Sequence, residues 1–335
     1  MSRRKVIVLC PGQGAQKVGM GRAWYEQSTI AREVFAEADA VLGDSLGGLL
    51  SELCFEGPAD RLNQTDVSQP ALYVCGVAGY RGWIEQEGEM ELVGAAGLSL
   101  GEYTALHLAG SFDFASGLQL VAKRGRLMQE AAELTEGSMV ALIGADEDQA
   151  QAVCEAVLNP RNARKTPVGV GGAGGESGNG NTPILVAANY NAPGQIVLSG
   201  DRSSCEQAVE VATGMDLRAT ALTVAGAFHS PLMESAAGSM GEALADVDMA
   251  EPQLPVWSNV TGLPHEWEGT GEHLRSSLVQ QIVSPVRWAQ SCEAMVGANA
   301  GKTIEYHEVS PGSVLRGLMR RIDRKTKVVS HDEPK

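Results

Sequence analysis

Leu92-Val93-Gly94-Ala95-Ala96-Gly97-Leu98-Ser99-Leu100-Gly101-Glu102-Tyr103 carries the most specific local pattern in the chain. It begins as a short apolar run, as a buried strand does. It turns through Gly97 to Gly101 and continues from Glu102 to Leu108 in a pattern that suits a helix. Strand, tight turn and helix in that order are the setting of a nucleophile elbow, where the turn leaves no room for side chains on either side of the serine. The Ser99 hydroxyl is then held at a helix N-terminus, where the dipole and free N–H groups favour developing negative charge. Gly-x-Ser-x-Gly also arises by chance in a chain with 40 glycines, so a purely structural turn stands beside the catalytic reading at this point.

The bulk of the chain narrows the choice. Its 335 residues, 44% hydrophobic, suffice for one large domain or two smaller ones with a sizeable core. A formal net charge of −15 argues against nucleic acid and anionic membrane as main partners. The six cysteines (Cys10, Cys54, Cys75, Cys154, Cys205 and Cys292) are scattered, with no Cys-x-x-Cys pair. They are expected to be reduced thiols in a cytoplasmic protein, with no disulfide frame and no metal site. The apolar run Val6 to Cys10 is too short for a signal peptide, and no apolar run is long enough to span a membrane.

Val6-Ile7-Val8-Leu9-Cys10 reads as a central parallel strand buried on both faces. It runs into Pro11-Gly12-Gln13-Gly14-Ala15-Gln16, a turn at a strand's carboxyl end, where open α/β sheets bind ligands; an ordinary glycine loop is the alternative. Helices are expected over Ala31 to Leu42, from the Thr65–Ala71 cap to about Gln86, and over Phe114 to Leu134. The last contains Lys123-Arg124-Gly125-Arg126, and a glycine inside a helix, which costs about 1 kcal/mol against alanine, points to something packed closely there. From about Gly137 the elements alternate as β-α-β-β-α-β, which fits a small ferredoxin-like subdomain over residues 137–224 inserted into a large α/β domain formed by 1–136 and 225–335. The glycine-rich segment 168–181 lacks the flanking strand and helix of a phosphate loop and reads as a surface loop. Helices over Pro231 to Leu244, His273 to Val283 and Val286 to Met295, strands over Pro255 to Val260 and Thr303 to Val309, and a last helix through Arg321 complete the large domain.

A serine nucleophile needs a base and an oxyanion site. Of the six histidines, His107 lies on the helix behind the elbow, His265, His273 and His331 stand in polar contexts that read as exposed, and His307 reads as a structural imidazole in a strand. His229, in Gly226-Ala227-Phe228-His229-Ser230-Pro231, follows an apolar strand and precedes a helix, which would put it on the same side of the sheet as Ser99. A buried structural role remains the equal alternative. Arg124 is read either as an exposed salt-bridge partner or, if it points inward, as a planar fork for a substrate carboxylate.

These residues fall into a pattern. Pro-Gly-Gln-Gly-Ala-Gln at 11–16, Gln-Pro-Ala at 69–71, Gly-Leu-Ser-Leu-Gly-Glu-Tyr at 97–103, Arg-Gly at 124–125, Asn-Ala-Pro-Gly-Gln at 191–195, Gly-Ala-Phe-His-Ser at 226–230, Gln281 with Pro285-Val286-Arg287-Trp288, and Glu-Val-Ser-Pro-Gly at 308–312 occur in order. Together they resemble the malonyl-CoA:acyl carrier protein transacylases and the related acyltransferase domains of polyketide synthases. The resemblance implies an α/β-hydrolase-like large domain with a central, mainly parallel sheet. It implies ping-pong transfer of malonyl from malonyl-CoA, through Ser99, to the phosphopantetheine thiol of acyl carrier protein, feeding fatty acid synthesis. His229 matches the base, the Gln281 main-chain carbonyl the group that orients it, the N–H groups of Gln13 and Leu100 the oxyanion hole, and Arg124 the partner of the malonyl carboxylate. Neither metal nor cofactor is implied. The family usually has His before the nucleophile where this chain has Leu98. The basic run Arg316, Arg320, Arg321, Arg324, Lys325 and Lys327 is expected to help dock an acidic carrier, the alternative being a solvated tail. A polyketide route, a serine esterase and a non-catalytic carrier-binding relative are the competing readings.

Overall fold

The computed structural model describes residues 3–88, 90–159 and 182–335. Strands β1 (Lys5–Cys10), β2 (Glu91–Gly97), β3 (Gly137–Ile143), β4 (Leu185–Ala192), β5 (Gln195–Asp201), β6 (Arg218–Ala221), β7 (Val256–Trp257), β8 (Glu305–Val309) and β9 (Val328–His331) form two sheets. The first is parallel throughout, in the order β7-β2-β1-β8-β9. The second is antiparallel, in the order β4-β5-β3-β6.

The central position of β1 follows from its composition. Val6 through Cys10 are fully buried. Val6, Val8 and Cys10 enter the core on one face of the sheet, and Ile7 and Leu9 enter the core on the other, as the period-2 alternation of strand side chains requires. Each such side chain contributes about 1.5–3 kcal/mol by leaving water. The larger core is filled by helix Thr65–Glu87, which is buried on nearly every side, and by helix Phe114–Leu134 packed against it. At Gly125 the two helices approach closely: a Cβ there would lie 2.6 Å from the Thr65 carbonyl oxygen. That is the close packing the helix-interior glycine points to.

The antiparallel sheet carries helices Glu147–Leu158 and Arg202–Gly214 over a core of its own, built on Val140, Leu142, Val153, Leu198 and Ala208. The strand order and the β-α-β-β-α-β sequence are those of a ferredoxin-like fold. The glycine-rich segment 168–181 lies outside the described residues.

Several local expectations are corrected. The expected strand 255–260 is only Val256–Trp257, because Ser258 to Gly262 turns back, Gly262 N–H donating to the Ser258 carbonyl. The expected helix from Val286 starts at Trp288, since Val286 is drawn into a bridge with Asn189 that ties β4 to the larger part of the chain. The basic run is not a tail: helix Val314–Ile322 leads through it into β9, an edge strand absent from the sequence reading. His331 is consequently buried, its imidazole accepting or donating across 2.9 Å to His307 and stacked on Trp83. His265, also expected outside, has its ring buried and holds Glu102. Among the described residues no helix is long and apolar enough to cross a membrane, and all six cysteines are free and buried.

Candidate active site

β1 and β2 pair in parallel with an irregularity after Val6, and at their ends Cys10 stands opposite Gly97, so the turns that follow them emerge side by side. Their contact is tight enough to exclude side chains. A Cβ on Gly12 would stand 2.2 Å from the Leu98 carbonyl oxygen, one on Gly101 2.0 Å from that of Cys10, and one on Gly97 1.9 Å from the Gly101 main chain. Ser99, between them, has φ 52° and ψ −104°. That is a strained conformation for a residue with a Cβ, costing about 1–3 kcal/mol, and it persists only where the surroundings enforce it. Helix Leu100–Leu108 begins at the next residue. The Leu100 N–H is one of the first-turn donors that a helix leaves without an intrahelical partner, and the Gln13 main chain lies in the turn pressed against the elbow through Gly12. Leu98, at the departure from the usual pattern, is partly buried against the smaller core of the parallel sheet, the cluster that holds Ile7, Leu9 and Trp257.

His229 reaches Ser99 by a route other than the one expected. The strand before it, β6, belongs to the antiparallel sheet, not to the sheet that carries Ser99. The chain returns from that sheet through 222–230 and turns sharply at His229, whose φ is 56°. Its Nε2 lies 2.9 Å from Ser99 Oγ and its Nδ1 2.7 Å from the Gln281 main-chain oxygen. A carbonyl only accepts, so Nδ1 carries the proton and Nε2 faces the hydroxyl as an acceptor. Burial, then the neighbouring Arg124 charge, pull His229 down to about 4, with the Gln281 carbonyl opposing. The imidazole is therefore neutral at physiological pH.

The Gln281 carbonyl is available for a local reason. It lies in the last turn of helix Glu272–Val283, where its i+4 partner would be residue 285. That residue is Pro285, which has no N–H.

Arg124 is 1% exposed, while Lys123 and Arg126 on either side of it face solvent. Its Nη1 donates to Gln69 Oε1 at 2.7 Å; its Nη2 donates to Gln281 Oε1 at 2.9 Å and to Ser99 Oγ at 3.1 Å. The guanidinium also lies over the Tyr103 ring. All three oxygens on the fork belong to neutral groups, an arrangement that leaves a buried cation ready for a carboxylate.

Four residues around this cluster were not singled out from the sequence. Gln69 lies within a quoted motif and Glu102 follows the elbow, but only their contacts mark them. Asn259 brackets the turn: its Oδ1 accepts from Ser99 N–H at 2.6 Å and its Nδ2 donates to the Gly97 carbonyl at 2.8 Å. His265 Nε2 lies 2.5 Å from Glu102 Oε1. His107 instead faces the Phe112 carbonyl, 3.0 Å from its Nδ1, and takes no part; His273 is exposed. The basic residues Arg320, Arg321, Arg324 and Lys327 line, with Pro193 at the β4–β5 turn, a cleft of about 700 Å³. Arg316 and Lys325 are exposed nearby. Among the described residues no group of three or more His, Cys, Asp and Glu side chains is arranged to hold a metal ion.

The chain matches the acyl transferase domain family over residues 7–176 and 155–330. It is 37% identical over 314 residues to the malonyl CoA-acyl carrier protein transacylase of Escherichia coli strain K12, a match spanning 93% of this chain and 91% of that one. The crystal structure of a malonyl-CoA:acyl carrier protein transacylase from Xanthomonas oryzae pv. oryzae aligns with a TM-score of 0.85 at 35% identity, covering 100% of this chain and 96% of the other. A malonyl-transacylase solved in complex with its type II polyketide synthase acyl-carrier protein aligns with a TM-score of 0.84 at 32% identity, covering 99% and 96%.

Proposed function

The chain belongs to the acyl transferase domain family, and on that premise we propose that it transfers malonyl from malonyl-CoA to the phosphopantetheine thiol of acyl carrier protein, feeding fatty acid synthesis. The observation that carries this reading is the line Ser99 Oγ, His229, Gln281 carbonyl with the buried Arg124 fork at its side. A serine with a base alone would suit an esterase; a buried cation with neutral partners beside it suits an acyl group that ends in a carboxylate.

In the first half-reaction Ser99 Oγ attacks the thioester carbonyl and His229 Nε2 takes the hydroxyl proton. The main-chain N–H groups of Leu100 and Gln13 receive the oxyanion, and collapse expels the thiol of coenzyme A, which leaves with the proton from His229. In the second half-reaction the carrier thiol gives its proton to His229 and attacks the malonyl ester of Ser99; collapse breaks the bond from the acyl carbon to Ser99 Oγ, which takes the proton back from His229 Nε2 and leaves as the free hydroxyl. Arg124 moves its donors from Ser99 Oγ and Gln281 to the malonyl carboxylate. It thereby holds the acyl group in one orientation, which raises transfer to the thiol over hydrolysis. The imidazolium formed in each half is stabilised by the Gln281 carbonyl, so the Ser-His pair needs no carboxylate at Nδ1. These steps ask for neither metal nor cofactor of the enzyme's own.

The carrier brings charge complementarity. The chain is acidic overall, so an acidic carrier needs a local basic surface, and the Arg320, Arg321, Arg324 and Lys327 cleft supplies one. A cytoplasmic location agrees with six free thiols.

The test is mass spectrometry of the protein after incubation with malonyl-CoA. A malonyl adduct on Ser99, discharged by adding holo acyl carrier protein and absent from Ser99→Ala, is the expected result. No adduct on any residue would favour a non-catalytic carrier-binding protein, and an adduct lost to water as fast as to the carrier would favour an esterase.

A further inference from the structure

Behind the catalytic line lies a buried carboxylate that the reaction as derived does not use. Glu102 is 1% exposed and sits in the first turn of the elbow helix. An acidic residue there commonly turns back to accept the N-cap N–H. Here the Ser99 N–H is taken by Asn259 Oδ1, and Glu102 is free to face elsewhere. Its Oε2 accepts from Gln281 Nε2 at 2.5 Å and from Asn259 N–H at 3.1 Å; its Oε1 meets His265 Nε2 at 2.5 Å. His265 is itself tethered, its N–H donating to the Val256 carbonyl at 2.8 Å and the preceding Pro264 bridging to Trp257.

We infer that Glu102 and His265 are a positioning pair, which locks the Gln281 side-chain amide with its oxygen toward Arg124 and so sets the preference for acyl groups that carry a carboxylate. The inference rests on the proposed malonyl transfer. Its physical basis is the near-symmetry of a side-chain amide, whose orientation is decided by its neighbours. Gln281 Nε2 donates to Glu102 and, at 3.0 Å, to the Ser99 carbonyl, while Oε1 accepts from Arg124. Turned over, the amide would set its NH₂ against guanidinium donors and its oxygen against a carboxylate, both repulsive in a buried site. Glu102 makes that turn unfavourable.

His265 has the second part. A buried carboxylate near a buried guanidinium would ordinarily pair with it directly. By occupying Oε1, His265 helps keep Glu102 one amide away, so the Arg124 fork meets only neutral oxygens and a substrate carboxylate need not displace a competing one. Neither residue touches Ser99 Oγ or the reacting carbonyl; both act through Gln281.

The test compares Glu102→Gln and His265→Gln with the parent in the full-length chain, measuring kcat/KM for malonyl-CoA and for acetyl-CoA together with Tm. Glu102→Gln keeps the side-chain shape and removes the charge. The expected result is a fall of about tenfold or more in the malonyl-to-acetyl ratio of kcat/KM, carried by KM for malonyl-CoA, with a smaller fall in the same direction for His265→Gln. A merely structural role lowers Tm and both activities in parallel, leaving the ratio within about twofold of the parent, and that result overturns the inference. If Glu102→Gln does not fold, His265→Gln, at a loop after an edge strand, decides alone by the same ratio. A parent that takes no malonyl onto Ser99 overturns the proposed function itself; a parent that does, with an unchanged ratio in the variants, overturns only the positioning pair.

Discussion

Replacing Arg124 by alanine separates the two things a buried guanidinium can do beside a nucleophile. In the structure its donors rest on Gln69, Gln281 and Ser99 oxygens at 2.7–3.1 Å, none of them charged. On binding malonyl, the fork exchanges neutral acceptors for a carboxylate. Two charge-assisted hydrogen bonds to a carboxylate are worth about 1.5–3 kcal/mol each. Arg124→Ala therefore removes about 3–6 kcal/mol of transition-state stabilisation for malonyl, a loss of ~10²–10⁴ in kcat/KM at about 1.36 kcal/mol per tenfold. Acetyl, with no carboxylate, loses only the secondary contact of Arg124 with Ser99 Oγ. The assay is stopped-flow or quenched acylation of Ser99 by malonyl-CoA and acetyl-CoA, with Tm measured in parallel because Arg124 also fills space next to Tyr103. A drop of equal size for the two substrates would refute the assignment of Arg124 to the carboxylate, since loss of packing or of the Ser99 contact acts on both alike.

The remaining expectations follow from the same geometry. With His229 held at about 4 by burial and by Arg124, Ser99 acylation should be flat from pH 8 to 6 and fall as pH drops through that value, because the base works only when neutral; an acylation limb near the ordinary histidine value of about 6.5 would contradict the geometry. The limb should move upward in Arg124→Ala, where the repelling charge is gone. The same shift lowers stability as pH falls from about 6.5 toward 4, because the unfolded chain binds a proton that the folded His229 refuses; thermal melts across that window read it. Gly97→Ala, whose Cβ would lie 1.9 Å from the Gly101 main chain, should cost about 3 kcal/mol or more and abolish acylation, by denaturant melts and the mass adduct. Reversing charge at Arg320 and Arg321, which line the basic cleft, should raise KM for the carrier while leaving Ser99 acylation by malonyl-CoA unchanged; an unaltered carrier KM would move docking to another surface.

Local chemistry left a clear mark in the chain. The glycines at 97 and 101 announced the elbow because no other residue tolerates main chain at about 2 Å from a Cβ. The helix Phe114–Leu134 is legible to its ends because its apolar period is local, and the structure adds the Asp113 side chain accepting from Ser116 N–H as its cap. That Pro285 leaves the Gln281 carbonyl without a helical partner became visible only with the helix end in place, since it depends on Gln281 lying in the last turn of Glu272–Val283.

Other features depend on distance in the sequence and were decided only by packing. Ser99 and Gln281 are 182 positions apart, and no spacing rule predicts that a helix C-terminus will meet the elbow. Whether Arg124 faced water or the site turned on which side of its helix met Thr65–Glu87, a question of tertiary contact, since Lys123 and Arg126 in the same run do face solvent. His265 and His331 stand among polar neighbours and read as exposed; in the fold the His265 ring is buried against Glu102, and His331 ends the edge strand β9 with its ring stacked on Trp83. The strand before His229 joins the antiparallel sheet and not the sheet of Ser99, because a strand's sequence does not specify which sheet it enters. Sterics and hydrogen bonds only a few residues long determine the elbow turn, the extent of helix Phe114–Leu134 and the residue types able to do acyl transfer, whereas Thr65–Ala71, expected as a cap, is the first two turns of its helix, which starts after Gln64 with no side-chain cap. The tertiary structure alone decided which of them meet, and that Arg124, Gln281, Glu102 and His265 form one buried chain of contacts, because each pairing is fixed by burial between segments that sequence order keeps apart.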